Sequence, residues 1–567
     1  MLASRALWEA VACGEVELFK VARKPVWLAL NYRGVGLLLL TLAVLHQAWR
    51  TYVLGGLAPD QAIQITAAHR LLSGQGLTIP LVESSDIATV RASWVNQWPP
   101  GYSLLFALCS VSTGWGSNAI DLLIRVATSG LLFVGYDFIV GRFQVGVGRR
   151  GRLALLAFWA FGQPPISHCF SSDLLALASY FWGIVFTLLL VQSGNRLELK
   201  ACAAGFCCAA SALFRYQYWP LSLVPALSLI VLGVFQNKRL FKAAAIVSAI
   251  CLAGIFTNLT VNLSQSGHGT FLSESNFEAR STLYWSNLAL VKQDFPQTPF
   301  GSGEFWDWLR GRGLVASSSR FSQGFSILII FLAACVCARE SSVVFRRKKL
   351  DSIGIGRACF WMIGSLTLSM TFALLAYLSI KNPPVYFGDS GQPWATVSEL
   401  RYYAPTWFFF LIGIVLISQG SSFVNRAIAL TFVSLALFAT LAHSKSMAVW
   451  ISSNAGPPPP SPEVMALGQA VAQFSSLERV AIISSAPGAA EYILGRPVLD
   501  SGHNLKSMSA SEPVNLVIAV WRLKGNGAAR EDLSTLALKI PARLFFTSDE
   551  LNVWISPNFS GMTRGRE

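Results

Sequence analysis

A few carboxylate, guanidinium and aromatic side chains stand apart in this chain because it carries so little charge elsewhere. Asp60 lies in APDQAIQITAAHRLLSGQGLTIP, residues 58–80, with His69 and Arg70 near the end of the same stretch. Trp98 and Tyr102 belong to QWPPGY, residues 97–102, and Asp173 follows Ser172 between two apolar runs. Arg215 opens Arg215-Tyr216-Gln217-Tyr218, and Arg401, Tyr402 and Tyr403 follow Glu399-Leu400. A carboxylate can take a proton from a hydroxyl. A guanidinium fork can grip an anion through two oxygens. Tyrosine and tryptophan rings favour the boundary between hydrocarbon and water. Polar residues of these types beside lipid suit a substrate with one charged end and one greasy end.

The elements that must position them are membrane helices. Of 567 residues 53% are hydrophobic and 13% charged, with a mean hydropathy of +0.50, far more apolar than a soluble globular chain. Apolar runs recur at about the length that crosses ~30 Å of hydrocarbon. The net charge of +15 sits in short basic clusters between these runs, a topology signal rather than a nucleic-acid surface. The ten cysteines fall mostly inside apolar runs without metal-ligand spacing, and His69 and His268 read as surface residues. No phosphate-binding glycine loop or dinucleotide fingerprint occurs.

The basic segments 142–152, 195–200, 237–242 and 339–349 fall together in the cytoplasm on one condition. The run 99–116, with its Pro-Pro start, must lie at or dip into the outer interface rather than cross. Residues 1–33 are then a cytoplasmic segment without a cleavable signal, and 34–450 form the transmembrane domain. About eleven crossings are expected, near 34–50, 119–141, 152–170, 174–191, 201–214, 217–235, 241–258, 323–338, 358–380, 404–418 and 427–443. Asp60, Arg70, Trp98, Tyr102, Asp173, Arg215, Arg401, Tyr402 and Tyr403 all reach the extracytoplasmic side, the first four in an outer loop spanning 51–118. A proline-rich linker, 451–465, leads to a small soluble α/β domain, 466–567, on the same side. RVAIISS, VNLVIAVW and NVWISP read as its strands and PGAAEYILG as a short helix, with no catalytic constellation among them.

The pattern D-x7-A-x2-L-x2-G-x-G at 60–76, followed by WPPGY at 98–102, resembles the GT-C superfamily of polyprenyl-phosphate-dependent glycosyltransferases, which includes aminoarabinose transferases, protein mannosyltransferases and oligosaccharyltransferases. Asp173, Arg-Tyr-Tyr-x-Pro at 401–405 and the outer C-terminal domain support it. The resemblance implies an α-helical polytopic membrane enzyme, in a bacterial inner membrane, that moves a sugar from a polyprenyl-phosphate donor to an acceptor hydroxyl of a glycan, lipid or protein. It makes Asp60 the base, with Asp173 as the second catalytic acid. Arg215 and Arg401 meet the leaving phosphate, and Arg70, Trp98, Tyr102, Tyr402 and Tyr403 line the substrate site. Some relatives place an acid and a base before the proline pair. Here Gln97-Trp98 stand there, so no metal ligand is named, although a divalent metal stays open.

Plainer roles stand beside these. Asp60 after Pro59 has the place of a helix N-cap, as does Asp173, and Arg215 and Arg401 have that of interfacial anchors. Asp121, Arg125 and Asp137, within the second crossing, are accounted for by pairing or snorkelling. Asn258, Asn262 and Asn558 head outer-side Asn-x-Ser/Thr triplets. A lipid-sugar flippase or a non-catalytic subunit of an envelope glycan assembly are the rival functions. A flippase would show paired inverted repeats with broken helices, and the two halves of the chain show no such repeat.

Overall fold

The computed structural model describes residues 34–45, 59–83, 86–95, 98–143, 151–153, 155–156, 169, 171–192, 195–267, 309–314, 318–346, 350–378, 400–418, 462–474, 480–484, 494, 499–500, 509–521, 542–548 and 551–561. Most of them are helical. Among the described residues, six helical segments are long and apolar enough to span a bilayer: α4 (Ser117–Arg142), α5 (Ser171–Gln192), α6 (Leu197–Phe214), the pair α7 (Tyr218–Ser222) and α8 (Val224–Phe235), α9 (Leu240–Ser266) and α11 (Ser352–Leu378). Shorter or more polar helices accompany them: α1 (Gly34–Leu45), α2 (Pro59–Leu72), α3 (Gly101–Thr113), α10 (Ser318–Ser341) and α12 (Ala404–Ser418). The protein is a polytopic helical membrane protein. The expected crossing at 427–443 and most of 152–170 lie outside the described residues, as does PGAAEYILG apart from Leu494.

The helix boundaries follow local chemistry. The α3 helix has 13 residues, about 20 Å at 1.5 Å per residue and short of a full crossing. It starts after Pro100 and stops at Gly114, whose φ of 66° closes the helix in the left-handed region. Helix α9 continues two turns past the expected 258, because nothing in LTVNLSQS breaks a helix before Gly267 at φ 75°. Asn258 and Asn262 therefore sit inside a helix, both buried, rather than in an exposed outer loop.

From α5 to α9 the helices alternate in direction and α4 runs parallel to α5, so polar groups sort to two ends. At one end the basic connections meet: Gln236 donates to the Val344 carbonyl at 3.1 Å, Lys242 pairs with Glu198 at 2.8 Å, Arg357 with Glu340 at 2.8 Å, and Arg152 grips both oxygens of Asp137. The first turns of α4, α5 and α12 and the last turns of α6 and α9 gather at the other end. Between the ends the core is large and aromatic. Phe181 of α5 packs on Phe408 of α12 with ring centroids 3.7 Å apart, and Tyr180 bonds Thr367 of α11 at 2.6 Å. Small residues let backbones approach, as hydrocarbon demands when burial alone drives no association. A methyl at Gly183 would stand 2.5 Å from Cys208 Sγ of the neighbouring α6.

Two sheets lie off the bundle. Strands β1 (Thr78–Glu83) and β2 (Asp86–Trp94) form an antiparallel hairpin inside the stretch expected as the outer loop. Near the C-terminus, β3 (Val480–Ser484), β4 (Leu499–Asp500), β5 (Ser509–Trp521), β6 (Arg543–Thr547) and β7 (Leu551–Gly561) form one mixed sheet ordered β4-β3-β5-β7-β6. Helix α13 (Pro462–Ala472) covers one face, setting Leu467, Ala470 and Val471 against Ile482, Val517, Ala519 and Val553. The other face receives the hairpin: Ile87 and Ala88 pack on Ala481, Ile483, Val514, Leu516, Ile518 and Val520. Strand β5 is buried on both faces, which is why LVIAVW, 516–521, is apolar throughout instead of alternating.

Candidate active site

The sequence of α2 specifies its own ends. Pro59 can open a helix because its missing N–H would be unsatisfied in the first turn anyway. The C-terminus closes with the Gln75 N–H on the Arg70 carbonyl at 2.8 Å and the Gly74 N–H on Leu71 at 3.1 Å. Gly74 at φ 79° and Gly76 at φ 73° make the reversal into β1, the backbone reason for a G-x-G here. Ile65 and Ala68 bury against Tyr102, Phe106 and Ala107 of α3. Asp60 is therefore the second residue of α2, two positions inside the cap instead of at it. Its side chain lies outside the described residues. A carboxylate in a first turn suits the positive end of the helix dipole.

Asp173 is likewise inside its helix, since α5 begins at Ser171 and not at the expected 174. Its carboxylate is fully buried and meets two cations from distant parts of the chain. Arg215, at the end of α6, pairs through Nε with Asp173 Oδ1 at 2.5 Å, and Arg401 approaches Oδ2 through Nη1 at 4.0 Å. Arg401 belongs to a single 3₁₀ turn, Leu400–Tyr403, that leads into α12. Its guanidinium carbon lies 5.1 Å from the Tyr402 ring centroid, and Nη2 donates to Tyr402 Oη at 3.5 Å. Two of the expected cations and one expected acid thus converge. The Arg215 contact is direct, whereas Arg401 stands back from the carboxylate and is steadied by an aromatic face.

The other expected site residues are placed differently. Arg70 reaches Thr78 Oγ1 at 2.9 Å, across the Gly74–Gly76 turn. Trp98 is half-buried just before Pro99 and Pro100. Tyr403 is buried against Phe372 and Leu375 instead of facing the interface, with Tyr402 partly buried against the same cluster. Tyr102, expected on a sugar or prenyl surface, is completely buried and donates its hydroxyl to Asp121 Oδ1 at 2.9 Å. Burial, reinforced by the Asp121 carboxylate, holds that phenol well above its usual range, so it stays a donor.

The sequence reading missed two polar groups at this end. Around Asp121, Arg125 pairs through Nε with Oδ2 at 3.3 Å and also donates to Ser171 Oγ and, through Nη2, to Gln61 Oε1, both at 2.9 Å. Opposite charges at i and i+4 in an apolar helix were the available signal. The second group involves Asn262, whose amide accepts from Trp94 Nε1 at 3.0 Å and donates to Tyr216 Oη at 2.9 Å. It links the base of the hairpin to the residue after Arg215. Nearby, the side chains of Ser172, Gln217 and Asn258 are buried and bond no other described residue. Among the described residues, no three His, Cys, Asp or Glu side chains group closely enough to hold a metal.

No protein-family model matches the chain, and no curated protein matches it in sequence. Among solved structures it is similar to the Archaeoglobus fulgidus oligosaccharyltransferase tethered to an acceptor peptide containing the NVT sequon. That superposition has a TM-score of 0.50 at 12% identity and covers 93% of this chain and 74% of that one. The Archaeoglobus fulgidus oligosaccharyltransferase AglB, in complex with an inhibitory peptide and a dolichol-phosphate, superposes with a TM-score of 0.46 at 10% identity, covering 94% of this chain and 74% of that one. ArnT from Cupriavidus metallidurans, bound to undecaprenyl phosphate, gives 0.43 at 13% identity and covers 94% and 98%. At 12% identity the likeness to the oligosaccharyltransferase structure is one of fold.

Proposed function

We propose that the chain is an integral membrane glycosyltransferase that moves a sugar from a polyprenyl-phosphate carrier to an acceptor hydroxyl on the extracytoplasmic face. The observation that carries this reading is the Asp173 cluster. A buried carboxylate holds Arg215 at 2.5 Å, and a second guanidinium, Arg401, stands 4.0 Å away over the Tyr402 ring at one end of the bundle. The fold shared with an oligosaccharyltransferase supports sugar transfer as the chemistry.

In this reaction the acceptor oxygen attacks the anomeric carbon, and the bond from that carbon to the phosphate oxygen breaks. The polyprenyl phosphate leaves with the bonding pair, and the hydroxyl proton passes to Asp60. A positioned base typically contributes about 10²- to 10⁴-fold. The leaving phosphate gains charge at the hydrocarbon boundary, where a guanidinium fork answers it best. Of the two candidates Arg401 is the clamp and Arg215 the support, because Arg215 is already committed to Asp173. The Ser172, Gln217 and Asn258 side chains, which bond no other described residue, are polar groups of the kind that sugar hydroxyls satisfy. No step is assigned to a metal: a cation at Asp173 would meet two guanidiniums.

The test is to incubate membranes containing the protein with a panel of labelled polyprenyl-phosphate sugars and follow the label. Transfer to an acceptor with release of polyprenyl phosphate supports the enzyme. Label that crosses the bilayer still attached to its lipid makes the protein a flippase, and label that does neither makes it a non-catalytic subunit.

A further inference from the structure

A carboxylate and a guanidinium one turn apart in an apolar helix are costly to bury unless every proton and lone pair finds a partner. Asp121 and Arg125 of α4 find their partners in three other elements. Ser171 Oγ, in the first turn of α5, donates to Asp121 Oδ1 and accepts from Arg125 Nε at 2.9 Å and Gln61 Nε2 at 3.3 Å. A hydroxyl has one proton and two lone pairs, so Ser171 is saturated. Gln61 returns its carbonyl oxygen to Arg125 Nη2 at 2.9 Å, and Tyr102 of α3 fills a further site on Asp121 at 2.9 Å.

The backbone positions of these partners give the network its meaning. Gln61 is the neighbour of Asp60, and Ser171 lies two residues before Asp173. A slip of α2 along α5 would strand a charged or amide group in a buried place, so the network admits one register. We propose that Asp121, Arg125, Ser171, Gln61 and Tyr102 form a latch that fixes the first turn of α2, and with it Asp60, against the first turn of α5. Asp121 and Arg125 are thereby positioning residues. The proposal rests on the glycosyltransferase reading for its consequence, but the latch can be observed without it. Misplacing a reacting group by about 1 Å can cost on the order of 10²-fold, so a latch of this kind would act on turnover rather than on donor affinity.

The decisive variant is Gln61→Met in the full-length protein in lipid nanodiscs. Methionine keeps length and volume but cuts the tie from α2, leaving Asp121, Arg125, Ser171 and Tyr102 to satisfy one another. Amide hydrogen exchange across Pro59–Leu72 is expected to quicken by on the order of tenfold while Leu174–Gln192 stays unchanged. Turnover should fall by a similar factor with the donor KM unchanged. Gln61→Glu, which keeps an oxygen for Arg125, should recover most of the turnover. Should Gln61→Met fail to fold, Tyr102→Phe removes a single hydroxyl and is expected to show both effects more weakly. Unchanged exchange in the variant removes the latch, and quickened exchange with full turnover removes its positioning role. If the wild-type protein transfers no sugar while the exchange changes as expected, the latch stands and the glycosyltransferase reading falls.

Discussion

Asp173 shows how little a residue type says before its partners are known. Beside two arginines and fully buried, it is the centre of an ion cluster that costs several kcal/mol per charge to desolvate and is stable only while paired. Arg215→Ala leaves that carboxylate without its nearest partner. It is expected to lower stability by about 3 to 5 kcal/mol, measurable by denaturant unfolding in detergent. Arg401→Ala should do the opposite. Its contact is longer, so folding is nearly unaffected, while transfer loses on the order of 2 to 4 kcal/mol of transition-state stabilisation, and Arg401→Lys keeps part of it. A double-mutant comparison of unfolding midpoints and turnover separates the two roles. Asp60→Asn keeps size and the ability to sit in a first turn while losing the proton acceptor. Transfer should cease with the unfolding curve unchanged, and near-normal turnover would remove Asp60 from the reaction. The candidate acids and cations were legible as residue types because charge is scarce in this chain. That Arg215 and Arg401 meet on Asp173 was not, since each lies on a different element and no local pattern encodes their approach.

Among the elements, sequence reading passed over the hairpin, as it did α13, β4 and β6. TIPLVE and DIATVRASW flank Ser84-Ser85 with β-branched residues, a hairpin signal inside the stretch expected only as part of the outer loop 51–118. What stabilises it is the C-terminal sheet, which closes over Ile87. A single two-stranded hairpin is marginal in water without such a cover. Ile87→Asp puts an unpaired carboxylate into that apolar seam, and the C-terminal sheet should detach. The expected sign is cleavage by added protease within 451–465 at least ~10-fold faster than in the wild type, with α4 to α9 still protected. Gly101 marks a second close approach, because a methyl there would stand 2.5 Å from the Leu213 carbonyl oxygen. Gly101→Ala must push α3 away from the end of α6, two residues before Arg215. It should lower both thermal stability and turnover, by about 1 to 3 kcal/mol in the former. The Pro-Pro-Gly signal was readable, but the reason for the glycine was not, because the neighbour it admits is more than a hundred residues away.

Viewed whole, the molecule is a bundle with two unlike ends, one carrying basic connections and the other the acidic and aromatic cluster. Reporters fused at 146, 238 and 347 are expected to be cytoplasmic and one at 470 extracytoplasmic. A cytoplasmic reporter at 470 would invert the proposed sidedness of the site. The sequence by itself determined that the chain spans a membrane, approximately where its helices run, and which loops share an end. These properties are set by apolar length and by lysine and arginine placement, both local sums over residues. Tertiary structure alone decided that Tyr102 and Tyr403 are buried, that the Asp121–Arg125 pair draws in Gln61, Ser171 and Tyr102, and that the C-terminal sheet rests on the hairpin. Each of those outcomes depends on which side chain another helix or strand brings within about 3 Å, and hydrogen-bond geometry of that kind is a property of the packed chain, not of any segment read alone.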